Sequence, residues 1–383
     1  MMRSVRLILV FILSLFTTLV LAIVLFLNTA PQCGGRPSAA QKRRYAASAH
    51  YANGQFSNLV ETSLRHPEMS FLQTLRHAFN ADADRISQQP LPFTKVKESI
   101  FAVIDRETVQ ITWLGHSTVL MQFEGHTLLT DPMFGDRASP VSFMGPKRFN
   151  AELPLAPSDV PHLDAILLSH DHYDHLDRGS IRALHDRTEA FFVPLGIAPH
   201  LIRWGVSPGK IHELDWWETA RLDDIKFIAA PARHFSGRRF TDRANTLWAS
   251  WVVRSKKHCL YYGGDSGFGP HFKEIGEKYG PFDLTLLENG AYSDAWPFVH
   301  MTPEQTVQAH LDLRGRALLP IHWAQFPLSQ HAWYEPIERL LAAGKGLTIV
   351  TPQMGERFVV GQEAPAETWW RDLLCIPKVK REM

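Results

Sequence analysis

The longest apolar stretch of the chain covers residues 7–27, where three hydroxyl residues are the only polar ones and no residue is charged. As a helix rising about 1.5 Å per residue, it is about 30 Å long, the hydrocarbon thickness of a bilayer. It is longer than the apolar core of most signal peptides, and residues 28–31 lack the small-x-small pattern of a cleavage site. The pattern predicts an uncleaved membrane-spanning helix in an anchor of residues 1–30, with a cleaved signal as the alternative.

The basic residues around this stretch indicate its orientation. Arg3 and Arg6 lie just before it, whereas the residues after it are uncharged as far as Arg36. Because short flanks rich in Lys and Arg stay in the cytoplasm, this asymmetry predicts a cytoplasmic amino end, with the rest of the chain beyond the helix on the exported side. The basic cluster at residues 42–44 favours the opposite orientation, since it lies only 15 to 17 residues past the helix.

Further along the chain, short apolar runs each lead to a histidine or an aspartate within four residues. Four such runs are residues 165–168, 226–230, 259–262 and 317–321. Runs of this length fit buried central strands, and sites in layered α/β folds gather where strands end. The pattern therefore predicts a layered α/β domain with a cluster of polar side chains at one edge.

The residues that follow the first run have the composition of a metal site. Within the heptapeptide 169–175, His170, His172, Asp174 and His175 lie close together. Imidazole nitrogens and carboxylate oxygens are good ligands for zinc or a similar divalent ion, and four of them exceed what one catalytic ion with an open position needs. We therefore expect a second ion. The alternative is a polar surface loop that happens to be rich in histidine, in a chain with 19 of them.

The other three runs lead to three further candidate ligands, His234, Asp265 and His322. A single buried histidine is more often a structural residue than a ligand. The shared placement of all these residues at the ends of predicted strands favours the ligand interpretation. Seven ligands would thus converge on one edge of the domain.

Composition is typical of one large folded domain behind the anchor, with 45% hydrophobic residues. The 40 basic and 39 acidic residues balance, which argues against nucleic-acid binding. The three cysteines, Cys33, Cys259 and Cys375, are too scattered for a thiolate zinc cluster. The chain also lacks a Gly-x-Ser-x-Gly elbow, so the sequence does not indicate a serine nucleophile.

The remaining segments complete the predicted domain organisation. The polar composition of residues 31–60 predicts a linker, and Phe71, Leu72, Leu75 and Phe79 predict a short amphipathic helix that docks on the core or on the bilayer. Residues 31–105 would thus connect the anchor to the main folded domain at residues 106–362. Residues 363–383 would form a C-terminal tail.

These motifs carry a resemblance to a known family. The pattern His-x-His-x-Asp-His, a distant His, an Asp after Gly-Gly and a last His resembles the metallo-β-lactamase superfamily. Within it, the chain is most similar to the N-acylphosphatidylethanolamine-hydrolysing phospholipase D group over roughly residues 109–355. The segments that carry this finer resemblance are residues 113–118, 129–132, 137–140, 144–149, 214–218, 264–267, 279–283 and 321–323.

The resemblance implies a four-layer αββα sandwich with two divalent metal ions at its edge. Zinc is the expected metal, although iron and manganese also suit His and Asp ligands. One ion would bind His170, His172 and His234, the other Asp174, His175 and His322, and Asp265 would bridge them together with a water or hydroxide. Two ions about 3.5–4 Å apart need bridging anions, and together they activate a water molecule. Asp265 and Asp174 would also be catalytic, Asp174 by holding a proton in transit.

Five other residues are weaker candidates. Asp131 could orient a ligand imidazole from outside the metal shell, as could His116, although a turn aspartate and a structural histidine are equally good interpretations. His300 precedes a predicted helix start with capping-box spacing at Thr302 and could hydrogen-bond a substrate phosphate. Lys147 and Arg148 could do the same, although most adjacent basic pairs are solvated surface.

The expected function is a membrane-anchored dinuclear metal hydrolase acting on a phosphodiester, with a phospholipid of the N-acylphosphatidylethanolamine kind as the favoured substrate. The resemblance supplies this substrate, whereas the residues themselves indicate only a hydrolytic metal centre. One alternative keeps the metals and changes the substrate to a lactone, another small ester or a cyclic phosphodiester. A further alternative is a non-enzymatic envelope protein, which would predict an incomplete ligand set.

Overall fold

A computed structural model describes residues 2–70, 72–73, 81–101 and 105–374 of the chain. Two seven-stranded mixed sheets form its centre. The first sheet has the order β16-β3-β4-β5-β6-β7-β8. Its strands are β3 (Gln110–Gly115), β4 (Thr118–Phe123), β5 (His126–Thr130), β6 (Leu163–Leu167), β7 (Thr188–Pro194), β8 (Ile211–Leu214) and β16 (Arg357–Val359). Strands β5 to β8 are parallel, and the other pairs are antiparallel.

The second sheet has the order β15-β14-β13-β12-β11-β10-β9. Its strands are β9 (Thr219–Leu222), β10 (Ile225–Ala230), β11 (Ser250–Arg254), β12 (Cys259–Tyr262), β13 (Leu284–Glu288), β14 (Ala317–Ile321) and β15 (Thr348–Ile349). Strands β12 to β15 are parallel, and β11 is antiparallel to both β10 and β12. Strands β10, β12 and β14 therefore run in one direction and end at the same edge of the sheet.

Helices cover the outer faces of the sandwich and extend from its amino end. They are α1 (Met2–Thr29), α2 (Ala39–Ala46), α3 (Arg178–Leu184), α4 (Ala198–Arg203), α5 (His271–Tyr279), α6 (Pro303–Asp312), α7 (Glu335–Ala343) and α8 (Trp369–Leu374). The predicted start of α6 is confirmed, because Thr302 and Gln305 form a capping box with Pro303 in the first turn. Four residues were predicted to mark a short amphipathic helix. Of these, Phe71, Leu75 and Phe79 lie outside the described residues, and Leu72 is exposed.

Alternating residues of the first sheet divide between two cores. On β6, Ala165 and Leu167 pack into the core between the sheets, whereas Ile166 packs against the helices on the outer face. On β7, Phe192 faces inward and Phe191 faces outward. Successive side chains of a strand point to opposite faces, so strands buried on both sides need the continuous apolar runs seen in the sequence. The four-layer αββα prediction is confirmed.

Residues 31–60 were predicted to form a linker, but much of this segment packs on the domain. A capping box at Ser38 starts α2, and Tyr51–Ala52 (β1) pairs with Gln55–Phe56 (β2). Cys33, Tyr45 and Phe56 are buried. A few apolar side chains spaced along a polar segment are enough to hold it against a large core, and average composition does not reveal them.

Helix α1 has the length and composition of a membrane span. The segment Val5–Thr29 contains an 18-residue window with a mean hydropathy of 3.0 and no buried residue. Large apolar side chains are therefore exposed along the helix. In water such a surface would be unfavourable, whereas in a bilayer it matches the surrounding hydrocarbon.

Candidate metal centre

The ends of four strands bring the seven candidate ligands together at one edge of the sandwich. The heptapeptide follows β6 in the first sheet, and His234, Asp265 and His322 follow β10, β12 and β14 in the second. Gly264 allows the close approach of the two sheets, because it has a φ of +56° and a Cβ there would lie 2.5 Å from Ser169 Cβ. A glycine is required here on both steric and conformational grounds.

The first group of ligands consists of three imidazoles and a carboxylate. His170 Nε2 lies 2.9 Å from His172 Nδ1, which lies 3.2 Å from His234 Nε2. Asp265 Oδ2 lies 3.9 Å from His170 Nε2 and 3.7 Å from His234 Nε2. Tetrahedral zinc with bonds of about 2.0–2.1 Å has ligand atoms about 3.3 Å apart. These separations fit one ion held by the four residues.

The second group shares Asp265 with the first. His175 Nε2 and His322 Nε2 lie 3.5 and 3.4 Å from Asp174 Oδ2. The same two nitrogens lie 3.2 and 3.1 Å from Asp265 Oδ2. One oxygen of Asp265 thus stands between four imidazoles, which is the position of a bridging ligand between two ions.

Several polar atoms of this cluster are buried and have no hydrogen-bond partner among the described residues. Among them are His175 Nε2, His322 Nε2 and Asp265 Oδ1. Leaving such atoms unpaired is costly, at about 1–3 kcal/mol for each group. Metal ions would satisfy the two histidine nitrogens, so the residues present fit a pair of divalent ions.

Hydrogen bonds hold three of the imidazoles with Nε2 directed into the cluster. His175 Nδ1 donates to Asp131 Oδ2 at 2.7 Å, and His234 Nδ1 donates to the carbonyl of Val299 at 2.8 Å. His170 Nδ1 lies 2.9 Å from Ser169 Oγ, which itself donates to Asp131. Metal-binding histidines usually donate their other ring nitrogen to such an acceptor, which fixes the tautomer.

Asp131 and His116 lie where a supporting role requires them. Asp131 is buried and accepts hydrogen bonds from Ser169, His175 and Tyr262. His116 Nε2 lies 3.1 Å from Asp174 Oδ2, and its ring is 4.1 Å from that of His322. Asp131, His116 and His322 all have positive φ angles, 32°, 50° and 64°. Non-glycine residues in this conformation concentrate at functional sites.

Burial and mutual interaction give His170, His234 and Asp265 the protonation states that metal binding needs. Burial, reinforced by neighbouring imidazoles, lowers the pKa of His170 and His234 well below the usual value, so both rings are neutral and can offer a lone pair. Burial alone raises the pKa of Asp265, but the rings of His175 and His322 more than offset this effect. The pKa of Asp265 is therefore held well below its usual range, and the carboxylate stays ionised.

A cleft of about 330 Å³ opens over both groups of ligands. Its floor is polar and its walls are mostly apolar. The residues that line it are Leu64, His172, Asp174, Phe235, Asp265, Ala291, Trp296, Val299, His300, His322 and Leu328. A cleft of this kind suits a ligand with a polar reactive group and an apolar remainder.

Glu288 is a site residue that the sequence interpretation missed. It is buried at the end of β13, where Oε2 lies 2.6 Å from His300 Nδ1 and Oε1 accepts from the backbone N–H of Met301 at 2.8 Å. This holds the His300 ring in the wall of the cleft with Nε2 available to a ligand. Burial, with Asp265 nearby, raises the pKa of Glu288, and burial lowers the pKa of His300 to about 4. The strand-end placement that identified the ligands could also have identified Glu288.

Asn58 was also missed, and it lies in the segment predicted as a linker. Its side-chain amide donates to the carbonyl of His234 at 2.8 Å, and its side-chain oxygen accepts from the N–H of His234 at 3.1 Å and from Trp248 Nε1 at 3.0 Å. The segment therefore fixes the backbone of one candidate ligand. A few residues later it contributes Leu64 to the cleft.

Lys147 and Arg148 are not among the residues that line the cleft. Lys147 is exposed, and Arg148 donates to the carbonyls of Phe134 and Ala151 and pairs with Asp136 at 2.5 Å. The phosphate role predicted for these two residues gains no support from this placement. The guanidinium of Arg148 already has partners in its own loop.

Comparisons with known proteins agree with this architecture. A model of the beta-lactamase superfamily domain matches residues 126–323, just over half of the 383 residues. An uncharacterized protein of Mycobacterium tuberculosis is 40% identical over 351 residues, which cover 90% of this chain and 93% of that protein. The N-acyl-phosphatidylethanolamine-hydrolyzing phospholipase D 1 of Caenorhabditis elegans is 37% identical over 264 residues, covering 64% of this chain and 74% of that protein.

The fold is also found among solved structures. The isothiocyanate hydrolase from Delia radicum gut bacteria has a TM-score of 0.52 and 19% identity, over 65% of this chain and 98% of that one. At this identity the likeness concerns the fold alone. Together with the family match and the relatives, it leads to the conclusion that this chain belongs to the metallo-β-lactamase superfamily and is a metal-dependent hydrolase related to the N-acylphosphatidylethanolamine-hydrolysing phospholipases D.

Proposed function

We propose that the protein is a membrane-anchored dinuclear phosphodiesterase whose substrate is a phospholipid of the N-acylphosphatidylethanolamine kind. One observation carries the proposal: a polar floor with candidate metal ligands of both groups lies beneath apolar walls formed by Leu64, Phe235, Trp296 and Leu328. A soluble polar ester would gain little from such walls, whereas acyl chains would be buried against them. The relative named as a phospholipase D supports the same substrate class.

The proposed roles of the ligands follow from their geometry. His170, His172 and His234 would hold one ion, Asp174, His175 and His322 the other, and Asp265 would bridge them. Zinc is the proposed metal, because His172 Nδ1 lies 2.9 Å from His170 Nε2 and 3.2 Å from His234 Nε2, separations that suit its tetrahedral preference. Two such ions activate a water molecule and stabilise negative charge on a phosphate.

The other residues of the cleft would orient the substrate and move protons. His300 Nε2 would hydrogen-bond a phosphate oxygen or the departing oxygen, because Glu288 holds its other ring nitrogen. Asp174 would accept a proton from the attacking water, since its side chain lines the cleft. Asp131 and His116 would keep His175 and Asp174 in position. In the balanced reaction, water adds to phosphorus and the bond to the ethanolamine oxygen breaks.

The proposed topology completes this assignment. Residues 1–30 would anchor the protein, residues 31–105 would connect the anchor to the domain and cover part of the cleft, and residues 106–362 would form the hydrolase domain. The tail would be residues 363–383. The basic residues before α1 favour an exported catalytic domain.

Purified full-length protein and N-acylphosphatidylethanolamine in mixed micelles provide the test, with both products measured by mass spectrometry. We expect phosphatidic acid and an N-acylethanolamine in equal amounts, abolition of the reaction by a chelator and recovery with zinc. The control is His170→Ala, which removes one candidate ligand.

A second panel of substrates separates the lipid assignment from the hydrolase assignment. It contains a lactone, a small carboxylic ester and a cyclic phosphodiester. If the wild-type protein leaves the phospholipid intact and cleaves one of these in a metal-dependent way, the lipid assignment is wrong and the metal-centre assignment stands.

A further inference from the structure

The exit of α1 is joined to the catalytic domain by arginine side chains rather than by a loose connection. Arg239 Nε donates to the carbonyl of Leu27 at 2.8 Å, and Arg203 Nη2 donates to that of Thr29 at 2.5 Å. Both arginines also donate to the carbonyl of Gly34. The last carbonyls of a helix have no partner within it and carry partial negative charge, so two guanidinium groups satisfy them well. The end of α1 is therefore held at a defined place on the domain.

Arg239 belongs to a compact turn at residues 237–242, which we call the 237–242 turn. The carboxylate of Asp242 accepts from the N–H of Arg238 at 3.0 Å and from that of Arg239 at 2.7 Å. Phe240 lies at the tip of this turn and is 86% exposed. A single exposed aromatic side chain is common on protein surfaces, so Phe240 is distinguished by the position of the turn that carries it.

The position of the turn indicates what that contact is. Because the Arg239 side chain reaches Leu27, Phe240 lies within one residue of a group that is bonded to the last turn of α1. The surface beside the helix exit is suited to anionic headgroups, since Arg36, Arg203 and Asn28 line an open crevice there. Apolar side chains such as Phe, flanked by Lys or Arg, are characteristic of surfaces that bind the boundary between hydrocarbon and headgroups.

The 237–242 turn also contacts the heptapeptide that carries four candidate ligands. Gly237 N donates to Asp171 Oδ1 at 2.7 Å, and Arg238 Nη1 donates to the carbonyls of Asp171 at 2.6 Å and Leu176 at 2.9 Å. Arg238 also donates to the carbonyl of Gln32, just beyond α1. One arginine thus connects the helix exit, the turn and the metal-ligand loop.

We propose that the 237–242 turn is a second membrane contact, in which Phe240 enters the interfacial layer of the bilayer that α1 spans. This inference rests on the membrane anchoring in the proposed function and does not depend on which substrate is cleaved. Two contacts, the helix and the turn, would stop the domain from tilting about the helix exit. The metal-ligand loop would then keep a constant height and orientation above the lipid headgroups.

Depth-dependent quenching of a fluorophore tests the proposal on the full chain. Phe240→Cys is labelled with an environment-sensitive dye in a Cys375→Ser background, because Cys33 and Cys259 are buried. The protein is placed, one copy per disc, in nanodiscs of phosphatidylethanolamine and phosphatidylglycerol with or without lipids that carry a nitroxide near the headgroup. The matched control is the same label at Leu311, an exposed apolar position on α6 of the second sheet's outer layer.

We expect the label at position 240 to show blue-shifted emission and to lose most of its intensity with the nitroxide lipids, whereas the label at 311 shows neither change. Equal, weak quenching at both positions would overturn the proposal. A label at 240 that stays unquenched in single-copy discs and shifts only with two copies per disc would assign Phe240 to a contact between copies, which also overturns it.

Activity provides a second measurement. Phe240→Asp is expected to lower hydrolysis of phospholipid in nanodiscs severalfold while leaving hydrolysis of bis(p-nitrophenyl) phosphate unchanged, and Phe240→Leu is expected to preserve both. Equal loss on both substrates would contradict a role in membrane orientation. If the wild-type protein cleaves no phospholipid, the proposed substrate is wrong, and the quenching measurement alone decides the membrane contact.

Discussion

The Asp131→Asn variant tests the support of the candidate metal ligands most directly. The side chain of Asp131 is buried and accepts four hydrogen bonds. Oδ1 accepts from Ser169 N at 2.7 Å, and Oδ2 accepts from Ser169 Oγ, His175 Nδ1 and Tyr262 OH at 2.5, 2.7 and 2.5 Å. Asparagine has the same shape but one acceptor oxygen and one donor amide. Whichever way it is oriented, its amide group must face at least one of these donors.

The smallest expected effect comes from the orientation that keeps the oxygen toward His175. The backbone N–H of Ser169 then loses its acceptor, at a cost of about 1–3 kcal/mol for a buried unsatisfied group. The bond to His175 also weakens, because a neutral oxygen replaces a carboxylate. Loss of such support usually lowers metal affinity about 10- to 100-fold, and we expect a decrease in this range.

Two measurements and one control separate these effects. Metal affinity is measured by competition with a chromophoric chelator, and stability by urea unfolding of the metal-free protein, so that metal loss does not contribute to the second value. Tyr262→Phe removes one of the four donors and leaves the carboxylate intact, so it should lower stability by about 1.5–3 kcal/mol but metal affinity only a little. Unchanged metal affinity in Asp131→Asn, or an equal loss in Tyr262→Phe, would refute the reasoning.

Three further predictions follow from the site and the anchor. Changing His234 or His322 to Ala should lower the amount of bound metal and reduce hydrolysis by orders of magnitude. Metal analysis measures the first effect, and circular dichroism checks that the domain stays folded. Two metals per chain with full activity in both variants would contradict the ligand assignment. Glu288→Gln should reduce kcat by roughly 10- to 100-fold with metal content unchanged, because it weakens the orientation of an acid–base group worth about 10²–10⁴; an unchanged kcat would show that the contact with His300 is not used. An alkaline phosphatase reporter fused after Gly35 should be active outside the cytoplasm. If only a reporter that works in the cytoplasm is active, the predicted orientation is wrong. A mature chain that starts near residue 31 would identify a cleaved signal.

The sequence was most informative where a residue's chemistry and its position along the chain both indicate a metal ligand. His170, His234, Asp265 and His322 each follow an apolar run, and the runs that precede them are strands in the structure. Strand direction then brings the side chains to one edge. Glu288 follows a similar rule as the last residue of β13, and it was missed because a lone glutamate carries no motif.

Other features depend on tertiary contacts that local pattern does not encode. Asn58 looks like an ordinary polar residue in a polar segment, and its role arises only because the segment returns to His234. Arg148 has the chemistry of a phosphate ligand, but its own loop supplies its partners. The basic residues at the exit of α1 come from Arg203 and the 237–242 turn, far along the chain, so a count of flanking charges cannot include them.

The sharing of candidate ligands between the two sheets has a consequence for folding. Each proposed ion takes ligands from the heptapeptide, which follows a strand of the first sheet, and from Asp265 and either His234 or His322, which follow strands of the second. The ions would thus act as non-covalent cross-links between two halves of the domain that are largely consecutive in the chain. Ligand at a thousand times its dissociation constant stabilises a fold by about 4 kcal/mol. Metal supply would therefore govern the cooperativity with which the two halves unfold, as well as the capacity for hydrolysis.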